Sequence, residues 1–293
     1  MSIRDLDERI ERARSILMKV RAKRIRPGLD DKSLTSWNAL MLKAYLDAYN
    51  VFKEEEFLKI ALKSATFIVT RQRREDGGLF HSYKEGRTTI NGFLEDYAFT
   101  CEAFIALYES TFDEKWLEIA KELLDYSIAH FFDSSSGMFY FTSILDPDLV
   151  ARKMELHDNV IPASNSSMAK SLFRLGHYYN DQAYSKISIQ MLNNVKRHMI
   201  TYPSGYSNWG MLMLDNVSTF YEVAIVGKDA AKKRMELNDY YIPNKLYIGS
   251  NKESKLPLLQ NKFVVGKSII YVCVNKSCKL PVSEVAEAVK LLK

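Results

Sequence analysis

Four times along the chain a cluster of hydroxyl, amide and carboxylate side chains gives way abruptly to an amphipathic helical pattern, near Trp37, Leu94, Ala163 and Trp209. The first lead-in, Asp30-Asp31-Lys32-Ser33-Leu34-Thr35-Ser36-Trp37-Asn38, runs into Leu40, Met41, Ala44, Ala48 and Phe52, apolar positions that continue from Trp37 at helical spacing. Ser33, Thr35 and Ser36 are each available as its N-cap. A helix with such a stripe cannot bury it alone. The recurrence therefore demands neighbours that close over one another, and it puts the polar lead-ins at one common end.

The first three of these helices are each followed by a second one. Phe57, Ile60, Ala61, Phe67 and Ile68 mark a partner over 55–74, Leu117, Ala120, Leu124, Ile128 and Phe131 a partner over 114–131, and a third spans 182–200. The breaks between pairs share a pattern of glycine followed by aromatic residues: Asp76-Gly77-Gly78-Leu79-Phe80-His81-Ser82-Tyr83, then Gly137-Met138-Phe139-Tyr140-Phe141, then Gly205-Tyr206-Ser207-Asn208-Trp209. A helix that runs from the last of these to about Tyr221 completes the series. The four lead-ins are about 57, 69 and 46 residues apart, longer than the ~33–34 of tetratricopeptide and ankyrin repeats. Pairs with long, decorated linkers at one end predict a mainly α fold of α/α-toroid hairpins over residues 1–222. A charged helix over 5–23, with Leu6, Ile10, Ala13, Leu17 and Val20 in one stripe, precedes them. Beyond Glu222, short β-branched runs at 223–227, 245–248 and 268–274 and a closing helix over 282–292 predict a small α/β segment, 223–293, standing as a separate lobe or covering one end of the toroid.

A hydrophobic share of 47% with 26% charged residues argues against disorder. No apolar run approaches the ~18 residues of a membrane span, and Met1-Ser2-Ile3-Arg4-Asp5 has no apolar leader core, so the expectation is a soluble cytoplasmic protein. The net charge of +5 is concentrated in residues 1–32, with ten Lys/Arg against six Asp/Glu. Arg21 to Arg26 lacks interleaved aromatics and reads as a solvated helix end rather than a nucleic-acid footprint. Cys101, Cys273 and Cys278 are expected as reduced thiols, and the last two lack further ligands for zinc. No cofactor and no metal is expected.

As a set, Asp30-Asp31-Lys32-x-Leu34-Thr35-Ser36-Trp37-Asn38, Phe93-Leu94-Glu95-Asp96-Tyr97-Ala98, Asp158-Asn159-Val160-Ile161-Pro162-x-Ser164-Asn165-Ser166 and Tyr271-Val272-Cys273-x4-Cys278-x2-Pro281 resemble the helical part of the thioredoxin-domain protein family that includes spermatogenesis-associated protein 20. The resemblance covers the chain from about residue 20. It implies an (α/α)6 toroid, incomplete over residues 1–222, similar to N-acylglucosamine 2-epimerase and six-hairpin glycosidase folds, and with it carbohydrate chemistry. That family carries an N-terminal thioredoxin-like domain and further toroid helices. The expectation is therefore a split or truncated member whose missing half is another polypeptide or a second copy. No Cys-x-x-Cys occurs, so the redox activity does not transfer.

In such toroids the pocket lies at the inner-helix N-termini, where the helix dipole favours anions and polar ligands. Asp31, Asp96 and Asp158 fall there and, with His81, are the candidate catalytic groups; His157 is a further acid–base candidate. Trp37, Asn38, Glu95, Tyr97, Asn165 and Trp209 are the candidate ligand contacts. For Asp30, Asp31, Glu95 and Asp96 helix capping is the competing role, and for Trp37, Tyr97 and Trp209 core or rim packing. The expected function is sugar binding, isomerisation or glycoside hydrolysis. The alternative is a non-catalytic domain whose apolar seam and basic helix dock a thioredoxin-like partner.

Overall fold

A computed structural model describes residues 2–147 and 150–292. Residues 1–32 and 33–293 are two compact units. The first holds α1 (Ile3–Ala22), started by a Ser2/Asp5 capping box. None of its described residues is buried, so the apolar stripe expected to pack is solvent-exposed within that unit.

The second unit opens with β1 (Ser33–Leu34) and α2 (Thr35–Phe52), followed by α3 (Glu55–Phe67) and a π-helical turn over Ile68–Gln72. The antiparallel hairpin β2 (Phe80–Lys84) and β3 (Arg87–Asn91) comes next, with β1 on the free edge of β2. Then come α4 (Leu94–Thr111), α5 (Glu114–Phe131), the short pair β4 (Phe132–Asp133) and β5 (Met138–Phe139), α6 (Ser164–Tyr179), α7 (Gln182–Thr201) and α8 (Ser207–Val217). Helices α2, α4, α6 and α8 form the inner row and α3, α5 and α7 the outer one. The helix after Trp209 stops at Val217, short of the expected end, because Tyr221 already belongs to a strand.

The three hairpins turn by the same device. Lys53, Phe112 and Asn180 end α2, α4 and α6 in the left-handed region (φ 61°, 55° and 55°), and an acidic residue follows each. Asp113 and Asp181 then cap α5 and α7 through backbone N–H groups. Two residues thus reverse the chain each time. Between α2 and α6, α4 lies deep in the core, with Tyr97, Cys101, Phe104 and Tyr108 inaccessible. α2 itself starts at Leu34 without a side-chain cap, so none of Ser33, Thr35 and Ser36 serves as expected.

The C-terminal segment is not a separate lobe. β6 (Tyr221–Val226), α9 (Ala230–Leu237), β7 (Lys245–Ser250), β8 (Ile269–Val274) and β9 (Ser277–Cys278) form a sheet in the order β7-β6-β8-β9, with β6 parallel to β7 and antiparallel to β8. Strand alternation splits β6 between two cores: Ala224 and Val226 join the helical core, while Val223 and Ile225 meet α9 and α10 (Val285–Leu291). Tyr108, on α4, exchanges hydrogen bonds with the β7 backbone at Gly249, and Tyr178, on α6, donates to the Tyr247 carbonyl. The sheet therefore caps the C-terminal ends of the inner helices. Helix α9 had no counterpart in the sequence reading. Cys273 and Cys278, expected as thiols, are disulfide-bonded across the β8–β9 pair; Cys101 is a buried thiol. Among the described residues no helix is long and apolar enough to cross a membrane.

Candidate active site at the inner-helix N-termini

The opposite end carries the carboxylates. Asp96, in the first turn of α4, is fully buried. Its Oδ1 accepts the Ser36 N–H at 2.8 Å from the start of α2, and its Oδ2 accepts the Phe93 N–H at 2.8 Å. The same Oδ2 lies 2.9 Å from His81 Nδ1 on β2. The β2–β3 hairpin is thereby locked to two inner helices, and the His81 ring, packed 4.8 Å from Phe93, is held in one orientation. Burial pushes the Asp96 carboxyl up, and the donors from His81, Phe93 and Ser36 oppose that.

Glu95, one residue earlier, points differently. It is half-buried, and its Oε1 accepts from the Ser36 hydroxyl at 3.1 Å. Burial raises its pKa, and the charge of Asp96 adds to this, as does Glu155. A carboxyl whose pKa is raised, beside an oriented imidazole and a second carboxylate, is an acid–base constellation. One donor atom from each of His81, Glu95 and Asp96 lies within 4.8 Å of the others, a nitrogen-and-oxygen set able to hold a metal ion. Sequence spacing could not indicate it, because His81 comes from a hairpin and the carboxylates from a helix.

Other expected site residues have structural tasks. Asp158 accepts from Ala163 N–H (2.9 Å), the Ser166 hydroxyl (2.8 Å) and Asn208 N–H (2.8 Å), and so caps α6 and joins it to α8. Asn165 exchanges two hydrogen bonds with the Phe139 backbone and donates to the Glu155 carbonyl. Tyr97 stacks on Tyr126 in the core, and its hydroxyl accepts the Leu79 N–H. Trp209 is buried, donating to the Leu156 carbonyl. Asn38 donates to Leu34 O within its own helix start. Trp37 is 64% exposed. His157 is exposed against Tyr206. Asp31 is exposed and belongs to the N-terminal unit. The structure thus brings together His81, Glu95 and Asp96, and adds Glu155, whose Oε2 accepts the Ser164 N–H at 3.0 Å. Glu155 lies in the irregular stretch before α6, where no periodicity marks it.

Paired inner and outer helices, with the polar cluster at the inner N-termini, define a domain of the α/α-toroid class. A GH76 α-mannanase of Bacteroides thetaiotaomicron superposes with a TM-score of 0.53 at 14% identity, covering 80% of this chain and 66% of that one. A cellobiose 2-epimerase of Bacillus thermoamylovorans aligns at 0.45 and 15% identity over 58% and 46% of the two chains. In sequence the chain is 27% identical to spermatogenesis-associated protein 20 of Rattus norvegicus and of Homo sapiens, over 94% of its own length and 38% of theirs. It thus spans well under half the length of those relatives. Residues 24–222 match the β-L-arabinofuranosidase GH127 catalytic domain, and the chain belongs to that family.

Proposed function

We propose that the inner-helix N-terminal rim is a carbohydrate site acting on a glycosidic bond by general acid catalysis. The observation that carries this reading is the half-buried Glu95, with its raised pKa, beside the pair of part-buried His81 and buried Asp96. Protonated Glu95 donates its proton to the departing glycosidic oxygen as the C–O bond breaks; water then adds to the anomeric carbon, and the proton that water loses restores protonated Glu95. Glu155 is the second carboxylate, stabilising positive charge that develops on the sugar ring. Asp96 orients His81 through Nδ1, so that the imidazole presents a defined tautomer to the sugar hydroxyls. Membership of a glycosidase catalytic-domain family supports the reaction class; the toroid likeness speaks for fold alone.

The test is turnover of a panel of aryl glycosides that includes the β-L-arabinofuranoside. Glu95→Gln is expected to lower the rate about 10²–10⁴-fold while leaving the fold intact by circular dichroism. Equal rates in the variant and the parent chain, or no glycoside turned over, reject the assignment.

A second reading is favoured by the exposed apolar side chains Trp37, Met41, Val51 and Phe52 on α2 and Met211, Leu214 and Val217 on α8. These faces would dock a thioredoxin-like partner or a second copy of the chain. Light scattering on the purified chain that reports a monodisperse monomer, together with no capture of a thioredoxin-like domain, opposes it.

A further inference from the structure

Where the C-terminal segment meets the inner helices there is a cavity of about 230 Å³ that the rim chemistry does not use. Asn50 of α2, Glu109 of α4, Arg174 of α6, Arg234 of α9 and Lys245 and Tyr247 of β7 line it. Three cations face one carboxylate. Arg174 is paired with Glu109 at 2.7 Å, which neutralises one of them. Lys245 donates to the Ile242 carbonyl and has no carboxylate partner among the described residues.

Arg234 is the decisive group. It is 1% exposed, donates from Nη1 to Asn50 Oδ1 at 2.6 Å and from Nη2 to Met235 Sδ at 3.0 Å, lies over the Tyr49 ring, and has no ion-pair partner among the described residues. Its Nε, and the hydroxyl of the 5%-exposed Tyr247, find no hydrogen-bond partner among the described residues. Burying a guanidinium without an ion pair, with its Nε unmet, and an unmet hydroxyl is costly, and a ligand that accepts from both removes the cost. Cations at helix C-termini can simply answer the helix dipole. That accounts for charge near α2, α4 and α6, but not for donors left unsatisfied. Burial accordingly depresses the pKa of both Arg234 and Lys245, which a bound anion would reverse.

The geometry points to a binding site for a phosphate group, free or esterified, held by Arg234, Lys245, Arg174 and Tyr247. Two cations without a direct ion pair match a group that carries about −1.5 to −2 at neutral pH better than a carboxylate. Guanidinium forks and a phenol suit tetrahedral oxygens. A larger cleft of about 600 Å³ shares Asn50, Glu109, Arg174 and Pro243 with this cavity, and it gives room for the rest of a phosphomonoester. The site lies at the other end of the inner helices from Glu95 and is independent of the reaction proposed there.

Calorimetric titration of the full chain at about 0.15 M salt with inorganic phosphate, a hexose 6-phosphate and the unphosphorylated hexose tests it. Saturable binding of phosphate or its ester is expected, weakened about tenfold or more by Lys245→Gln and by Tyr247→Phe, and unchanged by Glu95→Gln. Tighter binding of the ester than of phosphate identifies a phosphomonoester as occupant; equal affinity identifies phosphate itself. Arg234→Met is expected to abolish binding. If it does not fold, the Lys245 and Tyr247 variants decide, since neither empties the core. Absence of saturable binding by both phosphates, or binding indifferent to Lys245→Gln and Tyr247→Phe, overturns the site.

Discussion

The two ends of the inner helices solve the same electrostatic problem in opposite ways. At the N-terminal end Asp96 and Asp158 accept backbone N–H groups from helix starts and are hydrogen-bonded through both oxygens. At the C-terminal end Arg234 and Lys245 sit among helix ends with donors in excess of acceptors. Both arrangements agree in sign with the helix dipole. They differ in saturation. A fully bonded carboxylate holds structure, whereas a half-bonded group is available to a ligand. Glu95 and Arg234 therefore stand out, and their better-bonded neighbours Asp96 and Asp158 do not.

That contrast can be broken most forcefully at Asp158. Asp158→Ala removes the acceptor for two helix starts and a hydroxyl, and a loss of about 2–4 kcal/mol of stability is expected by urea unfolding. A loss below about 0.5 kcal/mol would mean that Asp158 is no cap and would restore it as a ligand group. At the other end Gly249→Ala puts a methyl 2.4 Å from the Phe112 ring, beneath strand β7. It is expected to cost about 1–3 kcal/mol and to weaken phosphate binding, because Tyr247 shifts with the strand. Unchanged phosphate affinity in a destabilised variant would show that β7 does not position the site.

The smallest effect concerns Glu95. Its folded-state pKa is raised, so its contribution to stability is complete at low pH and is lost as pH rises through the raised value. Glu95→Gln lacks this loss. Its melting temperature is expected to exceed that of the parent chain at pH 8 and to converge with it near pH 4. A melting temperature lower than the parent's at pH 8 would show that the ionised carboxylate is structurally needed, against a role as a proton donor.

Much of the helical layout is legible in the residues. The stripes from Trp37, Leu94 and Ala163 locate α2, α4 and α6 to within a residue or two, because amphipathic period and glycine breaks are local signals. The candidate site is legible only in part. Glu95, Asp96 and His81 were named individually, yet Tyr97 and Trp209, equally plausible as sugar platforms, are buried in the core. Glu155 and Arg234 were not singled out. One lies in an irregular linker, and the other is on a short helix whose eight residues carry too little periodicity to announce themselves.

What the sequence alone determined is therefore the succession of helical pairs, the polar character of their starts and the change to strands after Glu222. Tertiary structure decided which polar residues are satisfied. Saturation depends on donors brought from 15 to 60 residues away, such as His81 and Ser36 onto Asp96, and on a sheet folded back over the helix ends. Burial and hydrogen-bond count are properties of that assembly, and they separate the groups that hold the fold from those left able to act.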